Sequence, residues 1–385
     1  MRILMVHNDY AKASGEEHAV DAIASLLRSR GQDVLWFRRS SAEIEGSIMG
    51  KVKAFFSGVY SFGSQSAMAD LLDRERVDVV QVQNLYPLIS PAGLVPCRKR
   101  GVPVVMRCPN YRLFCPTGLH LHNGRICERC LGNKPWWCVV LNCEGSVAKS
   151  VGYALRSAMA SVTGLIVDNV RVFVVLSEFQ KRRFAAGGID ARRIEVVPNI
   201  VEVKAVAAGG GPGETVAFAG RLSPEKGVAD FMEAARVLRH YPFAVAGDVS
   251  GMPQAVKEAP PNVTFHGFLR GEELDRFYAR ARVVVAPSVW FEGFPNTVGS
   301  AMGMGKPVIA SKLGALPEIV DDGKTGLLCE PGNVDDLIAR IEYLWRRPDV
   351  CRRMGEAGRE KAVREYSPEA CYGRLMAAYK KAGAV

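Results

Sequence analysis

The sequence predicts an α/β protein built from two parallel-sheet domains. Apolar strand-like runs alternate with helix-like stretches along most of the chain, the pattern of parallel sheets covered by helices. Its 385 residues exceed what one ordinary core organises, and at 48% hydrophobic and 23% charged residues the chain is too apolar for disorder. Near mid-chain the tract Ala207-Ala208-Gly209-Gly210-Gly211-Pro212-Gly213 suits no regular element, which places a domain boundary there.

In the first half, Arg2 to His7, Val34 to Phe37, Val77 to Val82, Val102 to Met106, Arg171 to Leu176 and Ile194 to Val197 read as strands. The periodic stretch Glu17 to Arg30, stopped by Gly31, reads as the first crossover helix. After the boundary, Thr215 to Ala219, Phe243 to Ala246, Val263 to His266, Val283 to Pro287 and Pro307 to Ala310 read as strands with helices between them. A last helix over Glu369 to Ala382 has Ser367-Pro368 as its start signal. The expected domains are residues 1–200, with a Cys-rich insertion at about 108–145, and residues 201–367, with residues 368–385 as a terminal helix packing back on the first domain.

The formal charge of +10 is uneven: residues 1–200 hold 26 Lys+Arg against 17 Asp+Glu, and the remainder 24 against 23. The first half is therefore expected to meet an anionic partner, with a solvated basic surface as the bland alternative. Ile48 to Phe62, carrying Lys51, Lys53, Phe55, Phe56, Tyr60 and Phe62, reads either as a membrane-surface segment or as a helix buried against the sheet. No run reaches the roughly 18 to 20 apolar residues of a spanning helix, and Met1 to His7 reads as a strand rather than a signal peptide, so a cytoplasmic location is expected. Nucleic acid is not an expected partner, since no recognition-helix pattern, RNA-binding sheet motif or paired zinc finger occurs.

Seven of ten cysteines crowd between Cys97 and Cys143. Cys127-Glu128-Arg129-Cys130 is a knuckle, preceded by Cys115 and followed by Cys138 and Cys143. One structural Zn²⁺ on Cys115, Cys127, Cys130 and Cys143 is one reading; reduced thiols packed with Trp136 and Trp137, or a disulfide, are the others.

The first strand leads into Ser14-Gly15 without a Gly-x-Gly-x-x-Gly spacing, which argues against a nicotinamide enzyme. Ser14 and Gly15 still offer backbone N–H groups at a helix start, where a phosphate or sugar hydroxyl can bind. The stronger signal is Phe218-Ala219-Gly220-Arg221-Leu222-Ser223-Pro224-Glu225-Lys226-Gly227, a strand end and tight turn with two cations five residues apart. Two fixed cations there can neutralise a departing diphosphate; by themselves they could equally be surface charges. A second loop follows another strand, Val285-Ala286-Pro287-Ser288-Val289-Trp290-Phe291-Glu292-Gly293-Phe294-Pro295-Asn296-Thr297, and then Ala301 to Ser311.

With Val175 to Glu178, Val197 to Asn199, Ala246 to Asp248, His266 to Leu269 and Leu316 to Val320 in the same order, the chain resembles the family 4 retaining glycosyltransferases of the GT-B fold. The resemblance implies two Rossmann-like domains facing an inter-domain cleft, the C-terminal one holding a nucleoside-diphosphate-sugar (UDP- or GDP-sugar) and the N-terminal one the acceptor. It implies no catalytic metal: Arg221 and Lys226 grip the donor diphosphate, a role Mg²⁺ fills elsewhere. Glu292 matches the first acid of the family's paired-glutamate motif and contacts the donor sugar. Gly220 and the loop Gly293, Phe294, Pro295, Asn296 and Thr297 approach the sugar and phosphates.

The family's second acid, eight positions on, is Ser300 here, a shorter and uncharged partner for the ribose hydroxyls. Pro109, beside Asn110, stands where similar sequences carry a histidine near the reacting sugar. His120 or His122 could supply that imidazole or be a surface histidine or metal ligand, and His7 at its strand end, with His18 on the first helix, could face the acceptor or sugar side or be structural. The resulting expectation is transfer of a hexose-type residue onto an anionic or lipid-linked glycan acceptor, with peripheral contact to the inner face of a membrane. The alternatives are a catalytically altered sugar-nucleotide-binding protein, or another GT-B enzyme such as an epimerase or phosphorylase.

Overall fold

A computed structural model describes residues 1–9, 15–44, 57–203 and 213–384. Ser14, most of the Ile48 to Phe62 segment, and Ala207 to Pro212 lie outside the described residues. The chain divides into two compact units, one of residues 1–122, 127–200 and 371–385, the other of residues 123–126 and 201–370.

The first unit is organised by β1 (Arg2–Asp9), β2 (Asp33–Ser40), β3 (Val79–Asn84) and β4 (Val104–Arg107). The short strand β5 (Leu121–His122) follows, then β7 (Val172–Val175) and β8 (Ile194–Val196), while β6 (Arg125–Ile126) falls in the second unit. Apart from β5 and β6 these form one sheet in the order β2-β1-β3-β4-β7-β8, every neighbour parallel, with Ile3 opposite both Val34 and Val79. Such strands are buried on both faces, which is why they read as continuous apolar runs rather than alternating ones. Helix Gly15–Ser29 covers one face through Val20, Ile23, Ala24 and Leu27. The last helix, Pro368–Ala382, adds Leu375, Ala378, Tyr379 and Ala382 to the same core, and the buried Tyr379 hydroxyl donates to Gln81 Oε1.

The second unit contains β9 (Thr215–Ala219), β10 (Phe243–Ala246), β11 (Val263–Phe265), β12 (Ala281–Ala286), β13 (Val308–Ser311) and β14 (Gly326–Cys329). They form a parallel sheet in the order β11-β10-β9-β12-β13-β14. This is the doubly wound Rossmann order, and it reverses between β9 and β12. In such sheets the loops leaving the two central strands diverge to opposite faces and open a crevice at their carboxyl ends, so a ligand site is expected after Ala219 and after Ala286. Phe231 meets Phe218 at a tilt and Phe243 edge-on in the core beneath. Each unit is by itself a Rossmann-like parallel sheet covered by helices.

Candidate active site

The turn after β9 is built on glycines that nothing larger can replace. Gly220 has φ +142°, and its carbonyl lies 2.0 Å from where a Cβ on Gly247 would stand. Leu222 is buried and anchors the turn, and a 3₁₀ stretch, Pro224–Lys226, delivers Lys226. Gly227 then opens helix Val228–Val237 at φ +71°, and a Cβ there would meet Pro287 O at 1.9 Å. The Val289 N–H donates to Glu225 O at 2.9 Å, tying this turn to the loop after β12.

That second loop runs from Pro287 to Pro295, where helix Asn296–Gly303 begins. Phe291 and Phe294 are buried, and Phe294 meets the edge of Tyr366 at 4.9 Å between ring centroids. The Ala315 N–H donates to Glu292 O at 3.1 Å, and a Cβ on Gly314 would stand 2.9 Å from Glu292 N, so the backbone at Glu292 is held from two sides.

The two loops bring the predicted charges together. Lys226 Nζ donates to Glu292 Oε1 at 2.7 Å, and Ser288 Oγ donates to the same oxygen at 2.8 Å. Lys226 Nζ also sits 5.3 Å from the centroid of the Trp290 ring. The Glu292 side chain is 5% exposed and that of Lys226 22%. The carboxylate is thus nearly dry while the ammonium keeps a face toward solvent, able to direct its remaining N–H bonds at a ligand. Arg221, 65% exposed, pairs with Glu225 Oε1 at 2.5 Å. Burial pushes the Glu225 carboxyl up, but hydrogen bonds from Ser223 and its own backbone, with Arg221 beside it, outweigh that and hold it below the ordinary range.

Asn296 and Thr297 occupy the first turn of their helix, and Thr297 Cγ2 would touch a Cβ on Gly220 at 3.8 Å, so the ends of β9 and this helix meet. Ser300, half-buried, lies one turn further along. Gly299 and Gly303 let the helix close on Val201 and Glu202.

In the first unit the sheet order reverses at β1 and β3. His7, fully buried near the carboxyl end of β1, has Nε2 3.4 Å from Asp9 Oδ1, and burial pushes its proton affinity down although Asp9 opposes this. Asp9 also receives Arg38 Nε at 2.9 and 2.8 Å. Ligand atoms of His7, Asp9 and Glu17 lie within 4.8 Å of one another. Gly15 opens the adjacent helix. Asn110 and His120 have other engagements. Asn110 Oδ1 accepts the Arg112 N–H at 3.1 Å and closes a turn. His120 is buried, with Nδ1 3.1 Å from Cys127 O and its ring edge-on to Tyr111; burial lowers its pKa to about 4.

Two family models match the chain, "Glycosyl transferase 4-like domain" over residues 14–200 and "Glycosyl transferases group 1" over residues 213–347. The chain belongs to the group 1 glycosyltransferases. Among the relatives of this family member is the MMP alpha-(1->4)-mannosyltransferase of Mycolicibacterium hassiacum, 30% identical over 264 residues, which are 64% of this chain and 58% of that protein. Another is the D-inositol 3-phosphate glycosyltransferase of Segniliparus rotundus, 33% identical over 217 residues, 50% of this chain and 48% of that protein. The chain thus spans about half the length of the curated relatives it matches. A crystal structure of Anabaena Alr3699/HepE in complex with UDP-glucose superimposes with a TM-score of 0.68 at 17% identity, covering 99% of each chain, a likeness of fold.

Against this family background, the sequence had singled out Arg221, Lys226 and Glu292 but not Glu225, Ser288, Trp290 or Gly314. Ser288 stands four residues before Glu292 in a loop whose bend brings the hydroxyl back onto the acid, a curl that no periodicity announces. The pairing of Arg221 with Glu225 at i, i+4 was the one available hint.

Proposed function

We propose that the protein is a retaining, metal-independent glycosyltransferase using a UDP- or GDP-sugar. The observation that carries this reading is the Lys226–Glu292–Ser288 cluster at the point where the second sheet reverses its strand order, with Arg221 on the same turn as Lys226 and paired with Glu225. Lys226 and Arg221 are assigned to the donor diphosphate, whose charge grows as the bond from the anomeric carbon to its oxygen breaks. The acceptor oxygen bonds to the anomeric carbon on the face the diphosphate leaves, and its proton passes to the departing phosphate oxygen. Glu292, fixed by Ser288 and Lys226, orients the sugar and stabilises positive charge on its ring. Backbone N–H groups of the Gly293 to Thr297 loop, and of Ser14 and Gly15, are assigned to sugar and phosphate contacts, and Ser300 to the ribose.

The acceptor is read as anionic or lipid-linked. In support, the first 200 residues carry the positive excess, helix Val147–Val162 exposes Val147, Val151, Leu155 and Val162, and Trp136 is exposed as well. No described helix is long and apolar enough to cross a membrane. The reading therefore places the protein peripherally on the cytoplasmic face of an anionic bilayer. Co-sedimentation with anionic vesicles should fall with rising salt; no binding at low salt removes this part.

Incubation with a panel of sugar nucleotides tests the activity. Release of nucleoside diphosphate together with an α-glycosylated acceptor from an α-linked donor is expected. Binding without turnover supports the non-catalytic alternative, and an inverted product overturns the mechanism.

A further inference from the structure

The sheet of the first unit reverses its strand order at β1 and β3, so a ligand is expected at the carboxyl ends of those strands. The loop that leaves β3 there is fixed by the asparagine at its start. Asn84 Nδ2 donates to Asn8 O at 2.8 Å and to Tyr86 O at 3.1 Å, and Asn84 Oδ1 accepts the Tyr86 N–H at 3.1 Å. The Leu88 N–H donates to Asn8 Oδ1 at 3.0 Å, which closes the loop onto the end of β1. Tyr86 is thereby held at the reversal point.

A cation from helix Val147–Val162 meets this ring. Tyr153 and Arg156 stand three residues apart and share a face of that helix. The Arg156 guanidinium carbon lies 4.2 Å from the centroid of the Tyr86 ring and 4.3 Å from that of Tyr153, so two rings fix the group. A Cβ on Gly58 would stand 3.7 Å from Arg156 Cδ and 3.5 Å from Pro87 O, so the chain at Gly58 packs along the aliphatic stem. Among the described residues Arg156 has no hydrogen bond and no ion pair, and the Tyr86 and Tyr153 hydroxyls have no hydrogen bond. All three side chains are half-buried, which leaves them in contact with solvent. Burial opposes the charge on Arg156, Tyr86 and then Tyr153 favour it, Arg112 opposes it, and Glu144 favours it least. A guanidinium keeps its proton in proteins, so this charge persists with no carboxylate against it.

We propose that Arg156, with Tyr86 and Tyr153, binds a phosphate group carried by the acceptor; this rests on the acceptor reading above and names the anionic group. The guanidinium offers N–H donors only, and each phenol can add an O–H. A ligand here must therefore be negative and rich in acceptor oxygens. Phosphate presents three terminal oxygens to three side chains, whereas a carboxylate has two. Arginine suits the place better than lysine, because its planar fork can bond the oxygens in plane while its face rests on the rings. The phosphate can sit on a lipid chain or on a soluble sugar. Exposed Val151 and Leu155 of the same helix offer apolar surface for the first of these.

The test is calorimetry on the full chain with UDP present to fill the donor site. Octyl phosphate and a hexose phosphate are the probes, and octyl glucoside and methyl glucoside the uncharged controls. The wild type should bind at least one phosphate probe, at least tenfold tighter than its control. Octyl phosphate bound alone assigns the group to a lipid-linked acceptor, and hexose phosphate bound as well or better assigns it to a sugar phosphate. Arg156→Met should weaken that binding at least tenfold, and Arg156→Lys, which keeps the charge but not the fork, about threefold, with UDP affinity unchanged in both. No phosphate probe bound by the wild type, or binding by Arg156→Met as tight as wild type, would overturn the proposal. If Arg156→Met does not fold, the wild type decides alone: the bound probe should protect Arg156 from phenylglyoxal, read by peptide mass, and no protection overturns the site. UDP binding without phosphate binding removes this inference and leaves the donor reading; phosphate binding without UDP binding does the reverse.

Discussion

Replacing Lys226 by Met tests whether the ion pair with Glu292 is one coupled unit. At 2.7 Å and an effective dielectric of about 20, the gross attraction is about 6 kcal/mol. Desolvation of both groups cancels much of it, but removing only the cation leaves a carboxylate 5% exposed with Ser288 as its remaining partner. That should cost the second unit about 3 kcal/mol. Glu292→Gln should cost about 1 kcal/mol, because the orphaned ammonium reaches solvent and the amide keeps the Ser288 bond. The double variant should then lose about 2 kcal/mol rather than the sum, a coupling near 2 kcal/mol. Hydrogen exchange in increasing urea, followed peptide by peptide, reads β12 and the helix after it apart from the first unit. Loss below about 0.5 kcal/mol in Lys226→Met, or strict additivity in the cycle, would refute the coupled pair.

Three other consequences can be measured. Gly227→Ala forces a side chain into φ +71° and onto Pro287 O, and should destabilise the second unit by about 2 kcal/mol or more; a melt unchanged from wild type contradicts the backbone argument. Ser300→Glu, supplying the acid that the sequence resemblance implies at that position, should tighten nucleoside-diphosphate binding about tenfold by calorimetry, one charge-assisted bond to ribose; equal or weaker binding removes Ser300 from the ribose site. His7 is held neutral by burial, so below about pH 6.5 the unfolded chain takes up a proton that the native state refuses. Stability from this source is complete above that pH and is lost as pH falls toward the native value. His7→Gln should flatten the decline between urea melts at about pH 7.5 and 5, and an identical slope contradicts it.

Much of the architecture could be read in advance because parallel strands buried on both faces leave unbroken apolar runs. Thr215–Ala219 and Phe243–Ala246 coincide with their expected ranges, and β1 runs only two residues further, to Asp9. Strand β14 escaped notice: Gly326–Cys329 is four residues long and follows the polar turn Asp321 to Thr325, with no periodicity to mark it. At the site, glycine-bearing turns and charges were legible since each motif is local. Ser288 and Gly314 were not, because their roles depend on how one loop curls and how another crosses it. The alternatives open for His120 could not be narrowed from its neighbours in sequence, because its surroundings are set by Tyr111 and Cys127, brought in by the irregular fold of the insertion.

Nucleoside-diphosphate affinity of wild type against Lys226→Ala, with Arg221→Ala beside it, bears most directly on the account, because both cations are assigned to the same diphosphate. Calorimetry with UDP and GDP in metal-free buffer should show saturable binding to the wild type and at least tenfold weaker binding to each variant, the loss of one charge-assisted contact. Affinity for the diphosphate unchanged in both folded variants would contradict it.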